Sequence, residues 1–86
     1  MPTISMFYGI IIRMFWDEHA PPHLHAKYGD HKATVSILDL CILEGHLPRR
    51  ATQLVLDWTE LNQAELLQNW ERCKAKKHPF PIKPLA

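Results

Sequence analysis

Eighty-six residues of 10.0 kDa, 47% hydrophobic and 22% charged, fit one small globular domain and exclude a disordered or collagen-like chain. The longest aliphatic run, Ile10-Ile11-Ile12, is far too short to span a membrane, and two cysteines, Cys41 and Cys73, are too few for a disulfide scaffold. The net charge of +1 is unevenly spread: residues 1–70 carry five Lys/Arg against eight Asp/Glu, whereas residues 71–86 carry five Lys/Arg against Glu71 alone. No signal peptide is read at the start, so a cytoplasmic location with no membrane partner is expected. A chain of this length buries only about 60% of its unfolded surface, which makes an oligomer or a partner protein an expectation too.

In Ile10 to Trp16 the even positions are apolar and the odd ones end in Arg13 and Asp17, the alternation of a half-buried strand. Gly9 before it permits a bulge or a tight bend, and the diproline Pro21-Pro22 makes Asp17 to Pro22 a loop. A hairpin follows, turning at Gly29-Asp30 and pairing Tyr28 with His31, Ala26 with Ala33 and Leu24 with Val35. That register puts the apolar side chains on one face and His23, His25, Lys27, Lys32, Thr34 and Ser36 on the other. Another strand is expected over roughly Cys41 to Glu44, after a turn at Asp39-Leu40, ending at Gly45.

From Pro48 the apolar period becomes helical: Ala51, Leu54, Val55 and Trp58 fall at i, i+3, i+4 and i+7, with Leu61 extending the stripe. Asn62 and Glu65 have the spacing of a capping box for a second helix whose apolar face is Leu66, Leu67, Trp70 and Cys73. Trp16, Trp58 and Trp70 are all read as core. The expectation is an α+β fold: a small, mainly antiparallel sheet of three to five strands in the N-terminal half, with two C-terminal helices packed on one face. Residues 1–78 form the single domain and residues 79–86 an extended, basic, Pro-rich tail.

The densest chemistry lies in Asp17-Glu18-His19-Ala20-Pro21-Pro22-His23-Leu24-His25. Residues two apart in a strand leave the same face, so His23 and His25 can converge on one ion or one anionic group. Asp17, Glu18 and His19 can approach from the loop to complete such a site. Three functional readings compete with a purely structural one. In an acid–base site, His23 and His25 are catalytic and Arg49 or Arg50 clamps phosphate, a combination suited to RNA cleavage. In a binding site, Lys27, His19, Arg49 and Arg50 receive phosphates or an acidic partner. In a metal site, a divalent ion is held by His23 and His25 with His19, Asp17 or Glu44; no cofactor is otherwise expected. Arg49 and Arg50 oppose the dipole at a helix start, which an ion pair with a body carboxylate or a phosphate would offset.

The opening Met1-Pro2-Thr3-Ile4-Ser5, Phe7-Tyr8-Gly9-Ile10, the His19-to-Ala26 segment with its Pro-Pro-His-x-His motif, Glu44 to Ala51, and Glu65 to Trp70 carry a resemblance over nearly the whole chain. The sequence resembles the bacterial small-protein family catalogued as domain of unknown function 4160. Met6 and Asn62 depart from that family's pattern, standing where an arginine and a histidine are common. Genes of this family often lie beside those of domain of unknown function 2442. The resemblance therefore implies the toxin of a type II toxin–antitoxin module, acting on RNA or translation and neutralised by direct binding of a cognate antitoxin. The alternatives are a non-catalytic protein- or DNA-binding module and a divalent-metal-binding protein.

Overall fold

The computed structural model describes residues 3–86; Met1 and Pro2, which open both the family-like motif and the expected domain, lie outside the described residues. Five strands come first: β1 (Thr3–Phe7), β2 (Ile10–Arg13), β3 (His23–Tyr28), β4 (His31–Ser36) and β5 (Ile42–Gly45). Two helices follow, α1 (Arg49–Leu61) and α2 (Gln63–Lys74). The strands lie in chain order in one sheet, and every neighbouring pair is antiparallel, so the sheet is a simple meander. The α+β fold expected from the periodicities is the fold the chain adopts.

The central hairpin has the register that the alternation predicts, with Tyr28 opposite His31, Ala26 opposite Ala33 and Leu24 opposite Val35. Leu24, Ala26, Ala33 and Val35 are buried together with Ile10 and Ile12 of β2. Ala51, Val55 and Trp58 of α1 and Leu66, Trp70 and Cys73 of α2 join the same cluster, so the helices cover one face of the sheet. Trp58 is fully buried, packs its ring 5.2 Å from that of Phe7, and donates its indole N–H to the Lys83 carbonyl.

Several local expectations are corrected. β2 stops at Arg13 rather than reaching Trp16; Met14 stays in the core, but Asp17 turns the chain at φ 57°. Trp16 is consequently 37% exposed, its N–H bonded to the Lys77 carbonyl, and it is not a core residue. β1 has no counterpart among the predicted strands. It joins β2 through Tyr8 and Gly9, both at positive φ (49° and 79°), the backbone signature of a tight I′-type hairpin turn.

Leu61 is 73% exposed and leaves the α1 stripe, because the chain passes straight into α2 at Asn62. Asn62 makes no side-chain cap for α2; its Nδ2 donates instead to the Trp58 carbonyl, closing the end of α1. His31 is exposed at the hairpin turn rather than seated on the apolar face. Ser36, expected on the polar face, is fully buried, and its Oγ accepts the Asp39 N–H.

Residues 75–86 contain no helix or strand, and they lie along the body. The Ile82 side chain is buried and its N–H donates to the Ile4 carbonyl, while Asn69 of α2 holds the Phe80 backbone through both its N–H and its carbonyl.

Candidate functional site

Two features of the sheet build the site. The first is the loop between β2 and β3, which carries Glu18 and, after a cis Ala20–Pro21 bond, enters β3 at His23. The second is the sheet face opposite the helices. There Arg13 stands opposite His25 on neighbouring strands, Ile11 opposite Lys27, Lys27 opposite Lys32, and His25 opposite Thr34. A period of two makes all of them point away from the core.

At the start of β3, Glu18 Oε1 lies 2.5 Å from His25 Nε2 and 3.2 Å from His23 Nε2. The other ring nitrogen of His23, Nδ1, lies 2.9 Å from the Pro21 carbonyl oxygen. The rings of His23 and His25 have centroids 5.3 Å apart, with His23 leaning on Trp70 of α2 and His25 edge-on to Phe15. The cluster is partly enclosed: the side chains of His23, Glu18 and His25 are 11%, 26% and 33% exposed. Cys73 lies behind it on α2. Burial pushes the Cys73 thiol up; the Arg72 guanidinium opposes that rise and the Glu18 carboxylate adds to it.

His25 also opens onto a groove of about 420 Å³ on the bare sheet face, lined by Ile11, Arg13, Phe15, Lys27, Lys32, Thr34 and Glu44 among others. Arg13, Lys27 and Lys32 are three of the five cations in residues 1–70, and a single carboxylate, Glu44, shares the groove with them. None of these three cations forms an ion pair among the described residues. Arg13 has only a long 3.5 Å bond to the Thr3 hydroxyl. The groove is thus a cationic trough with an apolar wall, and an imidazole held by a carboxylate stands in its lining.

The candidates read from sequence divide. His23 and His25 come together as expected, and Lys27 faces the groove beside them. His19 is exposed and stands outside the cluster; the third member is Glu18. Arg49 and Arg50 are exposed at the start of α1 and line no part of this groove, and the ion pair expected of them is absent among the described residues. Arg50 borders a second, smaller hollow with Tyr8, Tyr28 and Leu54. Sequence reasoning left out Arg13 and did not single out Lys32, and it offered Glu18 only together with Asp17 and His19 as a loop residue that could complete the site. Parity already placed Arg13 on the polar face, but only the β2–β3 register, set across a nine-residue connection (14–22), brings it opposite His25. Met6 pairs with Ile11 on the same open face, 63% exposed, whereas Asn62 sits between the helices.

A meandering antiparallel sheet backed by two helices, with a Glu–His–His cluster at the edge of a basic groove, defines a small α+β domain. Residues 9–71 match the family described as Domain of unknown function (DUF4160), and the chain belongs to that family. No curated protein and no solved structure matches it. No helix is long and apolar enough to cross a membrane among the described residues.

Proposed function

We propose that this protein is the toxin of a two-component toxin–antitoxin pair, acting on RNA in the cytoplasm and neutralised by an antitoxin that covers the open face of its sheet. The observation that carries the RNA reading is the groove, where Arg13, Lys27 and Lys32 stand without carboxylate partners next to His25. Unpaired cations spaced along one face bind a phosphate backbone by charge, and Ile11 and Phe15 offer bases an apolar surface. His23 and His25, held by Glu18, are then the reactive groups against the bound phosphodiester. The toxin role itself draws its support from the family resemblance of the Pro-Pro-His-x-His segment. Induced expression of wild type, Lys27→Ala/Lys32→Ala and His25→Ala, with growth and RNA integrity followed, tests the proposal. Growth arrest with RNA breakdown in wild type and relief in both variants is expected. Equal arrest by a folded Lys27→Ala/Lys32→Ala removes the groove from the mechanism, and no arrest by wild type removes the toxin.

A further inference from the structure

The basic groove accounts for Arg13, Lys27 and Lys32, but not for the way Glu18, His23 and His25 face one another. The Pro21 carbonyl oxygen, 2.9 Å from His23 Nδ1, can only accept, so that nitrogen carries a hydrogen. A neutral His23 ring then has its lone pair on Nε2, directed at the Glu18 Oε1 atom 3.2 Å away. His25 Nε2 approaches the same oxygen. All three donor atoms lie within 4.8 Å of one another, and electron-rich atoms converging in this way call for a cation between them. The alternative places a hydrogen on each Nε2: His25 then donates to Glu18 as a neutral ring, but His23, already carrying its Nδ1 hydrogen, has to become an imidazolium.

We propose that Glu18 Oε1, His23 Nε2 and His25 Nε2 bind one divalent transition-metal ion of the Zn²⁺ type, with the remaining coordination position open to the groove. Two imidazoles and one carboxylate are a three-ligand set that leaves tetrahedral zinc an open place. Ligand atoms about 2.0–2.2 Å from such an ion stand roughly 3.3–3.5 Å apart, close to the His23–Glu18 distance of 3.2 Å. The His25–Glu18 contact needs to open by only about 1 Å, a small rotation of a partly exposed carboxylate. The second support is independent of the convergence. Metal-bound histidines characteristically donate their other N–H to a backbone carbonyl or carboxylate, and the His23–Pro21 bond is already in place to orient the ring. The diproline and the packing of His23 on Trp70 hold that geometry before any ion arrives. The inference does not depend on RNA binding, which rests on the cations of the groove; with the ion bound, His23 and His25 are its ligands, and the acid–base role proposed for them belongs to the ion-free chain.

The test is calorimetric titration of chelator-treated, full-length protein with Zn²⁺ alone, read together with the melting temperature. One saturable site per chain and a raised melting temperature are expected. Glu18→Gln and His25→Ala should each weaken binding by about tenfold or more. Two controls should bind as wild type does: His19→Ala, on the same loop, and His31→Ala/His46→Ala, whose surface rings lie 5.8 Å apart. With Co²⁺ in place of Zn²⁺, wild type should show the visible bands of a tetrahedral site and His25→Ala should lose them. His23→Ala is set aside because its ring packs on Trp70, so its removal perturbs the fold. The proposal fails if wild type shows no single-site saturation, if either Glu18→Gln or His25→Ala binds unchanged, or if the affinity resides in His31 and His46.

Discussion

His23 shows how much one residue carries here. One ring nitrogen is anchored on the Pro21 carbonyl, the other faces Glu18, and the ring face lies against Trp70. Cys73 sits close behind with the opposite character: its thiol is buried and kept protonated chiefly by desolvation. That has a consequence for stability with a definite sign. Below the ordinary thiol value of 9.0 the folded and unfolded chains both hold the proton, and the contribution of the buried thiol is complete. As pH rises past that value the unfolded chain releases the proton first, so stability is lost until the folded thiol also ionises. The urea midpoint of wild type should therefore fall more steeply than that of Cys73→Ala on going from neutral to alkaline pH. Parallel curves for the two proteins would show that Cys73 does not make this contribution.

At the scale of elements, the strand pairs and helices follow local rules that can be read along the chain. The β3–β4 register was legible because a one-residue slip would have turned Leu24, Ala26, Ala33 and Val35 out into water. The helical stripes were legible for the same reason of period, except at Leu61, where the immediate start of α2 leaves no partner for the side chain. The C-terminal segment was legible only as an extended one. What it docks against depends on Asn69, Trp58 and Ile4, which are remote in sequence from the residues they hold. This strap behaves as part of the core, so Ile82→Ala should cost about 2–5 kcal/mol in chemical denaturation. A cost near zero would mean that the segment merely rests on the surface.

At the scale of the whole molecule, charge decides where an anion can bind. Residues 1–70 are acidic in sum, yet three of their five cations share one groove on the open face of the sheet. Binding of single-stranded RNA through these three charges should weaken with salt, with a slope of log K against log salt near −2 (about −0.7 per phosphate neutralised). Lys27→Ala/Lys32→Ala should flatten that slope by more than one, whereas Arg49→Ala/Arg50→Ala should leave it unchanged. Fluorescence anisotropy across a salt series measures all three proteins. A slope carried by Arg49 and Arg50 would move the interface to the start of α1.

Composition and period by themselves determined the α+β fold, the opposite faces taken by Leu24, Ala26, Ala33 and Val35 and by His25, Lys27, Lys32 and Thr34, and the pairing of His23 with His25, because these depend only on neighbours along the chain. Tertiary structure alone decided that Glu18 rather than His19 completes the cluster and that Arg13 and Lys32 flank His25. It also decided that Arg49 and Arg50 stand apart from the groove. Those placements depend on how a nine-residue loop returns to the sheet and on the register between strands it separates, and both are settled by packing.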